Sequence, residues 1–155
     1  LIAGRDCHNP HSEEDTMKKN EPIEKVITKD VQTTHTGQKV SDVRKIFAAN
    51  AFHHMPVVSG TKLIGLISAS DILGISVEGV GSDDRSMDAY LDHQFSIEKL
   101  MKTDLHTLPE KSTIADAAEI LSDSRIHAVP VVDGDQNLVG IVTSTDLVRF
   151  LRDLF

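Results

Sequence analysis

The sequence has one cysteine, no tryptophan and few aromatic residues, which make up 4% of its 155 residues. Cys7 alone excludes an internal disulfide and a multi-thiolate metal site, so nothing requires an oxidising compartment. No apolar run reaches the roughly 18–20 residues that span a bilayer. Basic residues are also scarce, with 16 Lys and Arg against 24 Asp and Glu and a formal charge of −8. These features argue against binding to nucleic acid or membrane and predict a cytoplasmic protein.

Hydrophobic residues make up 39% of the chain, which is enough to fill a core. Because aromatic residues are few, that core must be built from Val, Ile, Leu and Ala. The chain begins without Met and without a signal-peptide pattern, and we expect a fragment of a longer polypeptide. Residues 1–20 are polar and patternless, which predicts a flexible lead-in. The sequence contains no Ser/His/Asp elbow, Walker loop or Gly-x-Gly-x-x-Gly segment. We therefore predict a protein that is not an enzyme.

One pattern occurs twice along the chain. Residues 23–26 recur as 97–100, and residues 56–58 recur as 130–132, both with an offset of 74. After one extra residue near positions 135 and 136, the offset becomes 75 and carries Asp71 onto Asp146. Internal repetition of this kind indicates two copies of one structural unit. We assign the first repeat to residues 21–75, a linker to 76–94 and the second repeat to 95–155.

Each repeat predicts the order strand, helix, strand, strand, helix, which is an α/β (α+β) architecture. Short extended segments are expected at 31–34 and 105–108, each followed by a helix with one apolar face. Two β-branched runs around a glycine-containing break then predict a hairpin. Final helices are expected at 70–75 and 145–154. Gly79, Gly81 and the acidic residues near them predict a mobile linker with a short helix around 87–91.

The end of each hairpin carries a motif with binding chemistry, Gly65-x-x-Ser68-x-x-Asp71 and Gly140-x-x-Thr143-x-x-Asp146. A helix N-terminus there offers unpaired N–H groups to phosphate, and a carboxylate accepts from the two vicinal hydroxyls of a ribose. A Ser or Thr followed three residues later by an acid is also typical of a helix cap. The two uses are compatible, and both remain open from the residues alone.

Residues 55–58 with 65–71, and residues 129–133 with 140–147, resemble the tandem cystathionine-β-synthase (CBS) domain pair, also called the Bateman module. The resemblance covers roughly residues 22–155. It implies two β-α-β-β-α repeats packed as a pseudo-twofold CBS pair. It also implies a regulatory module whose clefts bind an adenosine-containing nucleotide, AMP above all, with ADP or ATP as alternatives. Such a module controls an attached or partner protein, here an unknown effector.

The resemblance implies that each cleft combines residues of both repeats. The first cleft joins Thr143, Thr145 and Asp146 to Gln32, Thr33, His53 and His54. The second cleft joins Ser68, Ser70 and Asp71 to His106, Thr107, His127 and Ala128. Because the motif with Thr143 is nearer to the family's usual form, we expect the cleft containing Asp146 to be the better occupied.

The sequence departs from the family in its phosphate-binding charges. Family members that bind charged nucleotides often carry Arg or Lys before the proline, where this chain has His54 and Ala128. The candidates to compensate are Arg125, Lys62, Arg149 and partly protonated histidines. This departure favours a monophosphate or an adenosine-type ligand, or a phosphate charge handled by a cation such as magnesium.

Two alternatives stay open beside the nucleotide site. The eight histidines raise the possibility of a transition-metal sensor, but no pair has the spacing of a hydrolytic zinc site, and we predict no metal. A ligand-independent dimerisation or docking module is the second alternative. The resemblance implies a homodimer in either case, because apolar helix faces on so small a unit need covering.

Overall fold

The computed structural model describes residues 21–77 and 83–155, and its elements repeat as the sequence does. After a short 3₁₀ helix (Ile23–Lys25), the first repeat contains α1 (Val40–Ala49), β1 (His54–Ser59), β2 (Lys62–Ser68) and α2 (Ala69–Val77). The connection contains α3 (Asp84–Gln94), and α4 (Ile97–Leu100) lies at the start of the second repeat. The second repeat contains β3 (Leu108–Pro109), α5 (Ile114–Leu121), β4 (Ala128–Val132), β5 (Leu138–Thr143) and α6 (Ser144–Arg152). This mixed helix and strand fold confirms the predicted class.

The two hairpins pair in the same register. Strand β1 pairs antiparallel with β2 from His54 opposite Ser68, and β4 pairs with β5 from Ala128 opposite Thr143. Each ladder is irregular at the second valine of its Pro-Val-Val segment. The turn of the first hairpin places Gly60 at φ 63°, whereas the longer second loop places Gln136 at φ 65°. The extra residue therefore lies in a surface loop, where chain length is easily changed.

Only part of the predicted extended segments forms a strand. In the second repeat, β3 pairs parallel with β4, with Leu108 opposite Val131. The equivalent contact in the first repeat is a single parallel bridge between Thr34 and Val57. The prediction was too long for 31–33 and 105–107, which lack strand pairing. Because Gln32 and His106 instead line clefts between the repeats, these segments border open space rather than a neighbouring strand.

Each repeat completes the core of the other. Ile23, at the start of the first repeat, is fully buried in the second repeat's core, and its N–H donates to the carbonyl of Ser112 over 2.9 Å. Ile97, near the start of the second repeat, is fully buried in the first repeat's core. The segments that follow bridge Thr28 to Ile141 and Lys102 to Leu66. Each core thus contains apolar residues from both repeats.

Two equivalent glycines permit these crossings. A Cβ at Gly140 would lie 2.5 Å from the carbonyl oxygen of Thr28, and a Cβ at Gly65 would lie 2.6 Å from the sulfur of Met101. A real Cβ cannot approach backbone oxygen that closely, so a side chain at Gly140 would displace the crossing strand. The glycine that begins each motif therefore allows the two repeats to pack closely against each other.

The connection between the repeats contains a longer helix than the short one predicted around 87–91. Helix α3 spans Asp84–Gln94, and the carboxylate of Asp83 caps it by accepting from Ser86 N–H over 2.7 Å. Leu91 is fully buried against the first repeat, and Asp92 accepts from the N–H and the hydroxyl of Ser41. Residues 78–82 of the predicted linker and the predicted lead-in, residues 1–20, lie outside the described residues. Across 21–77 and 83–155, no helix is both long enough and apolar enough to cross a membrane.

Candidate functional site

Two clefts lie where the repeats face each other. The first has a volume of about 570 Å³ and the second about 220 Å³. The first is lined by six of its seven predicted residues, Gln32, His53, His54, Thr143, Thr145 and Asp146. The second is lined by six of its seven, Ser68, Ser70, Asp71, His106, His127 and Ala128. The larger cleft is the one expected from sequence to be the better occupied.

Thr33 and Thr107, the remaining predicted residues, line neither cleft. They are equivalent positions, and the residue before each, Gln32 or His106, does line its cleft. These threonines directly follow the runs 30–32 and 104–106, all of whose residues line a cleft. A contact of Thr33 or Thr107 with a ligand stays a prediction.

The predicted hydroxyl and carboxylate of the first cleft form a complete capping box at the start of α6. The hydroxyl and the N–H of Thr143 both donate to Asp146 Oδ2, over 2.7 and 2.8 Å. The N–H of Asp146 donates to Thr143 Oγ1 over 3.3 Å. The helix-cap interpretation is thus correct, and it uses only one carboxylate oxygen of Asp146. Oδ1 of the same carboxylate lies 3.3 Å from Nη1 of Arg149.

The second cleft repeats this arrangement, with a lysine in place of the arginine. The hydroxyl and the N–H of Ser68 donate to Asp71 Oδ2 over 2.6 and 3.0 Å, and Oδ1 faces Lys102 Nζ at 3.8 Å. Lys102 occupies the position equivalent to Thr28, whereas the position equivalent to Arg149 is Gly74. The chain therefore places a positive charge beside Asp71 and beside Asp146, from positions that are not equivalent in the two repeats.

Of the three Arg and Lys residues expected to compensate at the phosphate, two line a cleft. Arg149 lines the first cleft. Arg125 lines the second, but its guanidinium bonds the carboxylate of Asp123 over 3.1 and 2.7 Å. Lys62 lies in β2 and lines neither cleft.

Sequence reasoning missed Lys102 as a site residue, because its place beside Asp71 depends on the crossing of the segment after α4 into the first repeat. It also missed Asp30 and Asp104, which line the first and second clefts. These two aspartates are repeat equivalents, and that pairing was the available signal.

Apolar residues form the walls of each cleft at equivalent positions. In the first cleft these are Val31, Phe52 and Ile141, and in the second Leu105, Ile126 and Leu66. The ring of Phe52 is held edge-on against Phe47, with the centroids 5.8 Å apart. The first cleft thus has an aromatic face beside its polar capping box, which suits a flat, partly apolar ligand.

His54 does not supply the missing positive charge in the empty protein. Burial lowers the pKa of His54 below 6.5, and the neighbouring His127 and His53 lower the pKa further. A neutral imidazole at pH 7 can accept or donate a hydrogen bond but carries no charge for a phosphate. Among the described side chains, no three or more His, Cys, Asp or Glu residues cluster as metal ligands.

Known proteins share this sequence and fold. The family model for the CBS domain matches residues 23–78 and 97–153. The uncharacterised protein MJ1225 of Methanocaldococcus jannaschii is 31% identical over 141 residues, which cover 88% of this chain and 49% of MJ1225. The crystal structure of MJ1225 superimposes with a TM-score of 0.72, covering 88% of this chain and 50% of that chain. The chain belongs to the CBS-domain family and contains the domain twice, as a tandem pair.

Two further structures are similar to this chain. The CBS domain pair of protein MJ0100, solved with 5′-methylthioadenosine and S-adenosyl-L-methionine, is 27% identical with a TM-score of 0.68, covering 84% of this chain and 98% of that chain. CBSX2, solved with AMP, shares the fold at 20% identity and a TM-score of 0.71, covering 86% and 98%. The chain spans 25–49% of the length of four curated relatives that it matches.

Proposed function

We propose that this domain pair is a cytoplasmic regulatory module that binds an adenosine-containing ligand in the first cleft, AMP most favourably. The observation that carries the proposal is the divided carboxylate of Asp146. Its Oδ2 is used in the capping box of α6, whereas its Oδ1 pairs with the guanidinium of Arg149, whose side chain is 65% exposed. An incoming diol can take the place of that arginine at Oδ1.

The proposed binding mode follows from the neighbours of Asp146. The two ribose hydroxyls donate to Oδ1, and the base lies against Phe52 and Ile141, which line the same cleft. Arg149, displaced from the carboxylate, then binds the phosphate as a charge-assisted donor. The exposed hydroxyl of Thr145, in the first turn of α6, offers a further donor near the helix N-terminus.

This mode favours one phosphate over three. Arg149 supplies one guanidinium to the first cleft, whereas Asp30 and Asp146 bring two carboxylates to its lining. Additional phosphates would increase the repulsion unless magnesium accompanied them, so ADP or ATP would bind as a magnesium complex. The smaller second cleft, with Lys102 beside Asp71, is proposed as a weaker site for the same class of ligand.

The role is proposed to be regulatory because Asp146 and Asp71, the carboxylates of the two motifs, are each engaged in a helix cap and an ion pair. Similar domain pairs with 5′-methylthioadenosine, S-adenosyl-L-methionine or AMP support the ligand class. The occupied cleft, formed by both repeats, would then report the ligand to an attached or partner protein whose identity remains to be found.

A homodimer is proposed on the face formed by α2 and α6. Leu73 and Val148 are equivalent positions, and each is 66% exposed. Leu151 and Leu154 extend the apolar surface along α6 and past its end, with 54% and 57% exposure. An apolar patch carried twice in pseudo-twofold positions suits a self-complementary interface. The same patch supports the second candidate function, a dimerisation or docking module that does not respond to nucleotides.

A thermal-shift panel tests the proposal. The ligands are adenosine, AMP, ADP, ATP, NAD and S-adenosylmethionine at millimolar concentration, each with and without magnesium. A ligand that binds only the folded state raises the melting temperature, by an amount equivalent to about 2.7 kcal/mol at a hundredfold excess over Kd. We expect AMP to give such a shift without magnesium. A dimer whose melting temperature none of these compounds changes would favour the docking module instead.

A further inference from the structure

The two clefts share a wall. His54, Ser70 and His127 each line both clefts. The imidazoles of His54 and His127 come from opposite repeats, and their ring centroids lie 6.5 Å apart at an interplanar angle of 39°. We call these two histidines the partition pair. Any charge on the partition pair is therefore felt by a ligand in either cleft.

The partition pair is formed once and not twice by the duplication. His127 is the repeat equivalent of His53, whereas the equivalent of His54 is Ala128. A second, symmetry-related pair therefore cannot form. The module has a single titratable wall between two otherwise equivalent clefts.

The surroundings of His54 keep it uncharged in the empty protein. Burial is the largest influence, and His127 and His53 oppose a positive charge, as does Lys102. Asp71 favours a positive charge on His54, but its carboxylate already accepts a hydrogen bond from Ser68 and faces Lys102. The other charged or titratable groups of the two cleft linings are Asp30, Asp104, His106, Arg125, Asp146 and Arg149. Of these, the two arginines contact carboxylates.

We propose that an anionic group on the bound ligand draws a proton onto the partition pair, so that phosphorylated adenosine compounds bind with proton uptake and adenosine does not. The inference rests on the proposed function. A phosphate in either cleft favours the charged imidazole by direct attraction, which offsets the repulsion from the other histidines. Nucleotide affinity thereby becomes a function of pH.

The sign of the effect follows from linkage. The phosphate raises the pKa of the partition pair in the complex above its value in the empty protein, so the complex holds more protons between those two values. Affinity for AMP then rises as the pH falls through the pKa of the complex, and it levels off below the pKa of the empty protein. Because the pKa of His54 starts below 6.5, the rise falls in the neutral to mildly acidic range.

Calorimetry of the whole chain at pH 7.5 tests the inference, because a phosphate monoester with a second pKa near 6 is already a dianion there. AMP and adenosine are titrated in non-phosphate buffers of different ionisation enthalpy, and the buffer dependence of the heat gives the protons taken up. We expect a fraction of a proton per AMP and none per adenosine. We also expect uptake to disappear in the double variant His54→Gln/His127→Gln and to persist in His93→Gln, an exposed histidine of α3 outside both cleft linings.

AMP binding whose heat does not depend on the buffer would overturn the inference and leave the nucleotide site standing. Uptake that survives in the double variant would also overturn it. Absence of binding by both AMP and adenosine would overturn the proposed function itself. If the double variant does not fold, NMR titration of the His54 imidazole in the unmodified protein decides the question. Saturating AMP must raise its pKa, and an unchanged pKa contradicts the inference.

Discussion

Arg149 Nη1 lies 3.3 Å from Asp146 Oδ1, the carboxylate oxygen that the capping box of α6 does not use. The ion pair is exposed on the arginine side, where 65% of the side chain is accessible, and it is therefore weak. A ligand that offers two hydroxyls to the carboxylate and an anion to the guanidinium can replace it without leaving either charge unpaired. The ion pair between Arg149 and Asp146 is therefore one that a ligand can readily replace.

The exchange predicts that Arg149 distinguishes AMP from adenosine. Arg149→Gln removes a hydrogen bond to a charged group, which is worth about 1.5–3 kcal/mol, so the Kd for AMP is expected to rise at least roughly tenfold. The Kd for adenosine should change by less than about twofold, because adenosine has no phosphate. Calorimetry with both ligands measures the difference. Arg152→Gln, which alters an arginine paired with Asp153, is the control and should change neither Kd. Equal losses for AMP and adenosine would refute this role for Arg149.

The close approach at Gly140 predicts a strong effect of one methyl group. Gly140→Ala places a Cβ 2.5 Å from the carbonyl oxygen of Thr28 and should lower the free energy of unfolding by about 1–3 kcal/mol or more. Gly74→Ala is the matched control, because nothing lies within 4 Å of its Cβ and it occupies the helix α2. That change should be neutral or stabilising by up to about 1 kcal/mol. Urea denaturation compares the two, and equal effects would contradict the crossing of the repeats.

Acid sensitivity should be traceable to Asp88 on α3. Hydrogen bonds from Lys45 and then Arg44 hold the pKa of Asp88 below its ordinary value of 3.8. Because the pKa is lower in the folded state, this group stabilises the fold above pH 3.8, and that contribution is lost as the pH falls toward the folded-state pKa. Asp88→Asn should reduce stability at pH 7 and flatten the decline of stability below pH 3.8. Glu119→Gln, at an exposed position of α5, should leave the decline as steep as before.

The apolar face of α2 and α6 predicts a dimer that one charge can dissociate. Val148→Asp adds a carboxylate at a residue that is 66% exposed in the single chain, so it should not unfold the protein. It should place like charges together across a twofold interface and shift the protein toward the monomer in sedimentation experiments. Ala115→Asp, also exposed but in the first turn of α5, should leave the dimer intact. A monomeric unmodified protein at high micromolar concentration would rule out the proposed interface.

Much of the fold could be predicted because the same pattern of helices and strands is written twice in the sequence. The spacing of Val40, Val43 and Phe47 is that of one helix face, as expected for the helix after the first extended segment, and all three are buried in α1. A Thr followed three residues later by an Asp is typical of a capping box, and Thr113 and Asp116 form one at the start of α5. These patterns depend only on residues close together in sequence, so they can be recognised without knowledge of the tertiary contacts.

What the sequence did not predict depends on contacts between distant segments. Leu91 in the presumed linker gave no sign that it would be fully buried, because its burial requires α1 as a partner. Lys102 became a site residue only because its segment pairs with Leu66 in the other repeat. The lowered pKa of His54 likewise arises from burial and from His127, which lies 73 positions away in the chain.

The most direct measurement compares two aspartates with the same local structure. Asp146 and Asp116 each accept from the hydroxyl and the N–H of a threonine in a capping box, but Asp116 lies outside both cleft linings. Asp146→Ala and Asp116→Ala should each cost about 0.5–2 kcal/mol of stability through the lost cap. AMP binding, measured by calorimetry on both folded variants, should be abolished in Asp146→Ala and unchanged in Asp116→Ala. Undiminished binding of AMP by Asp146→Ala would contradict the proposed site.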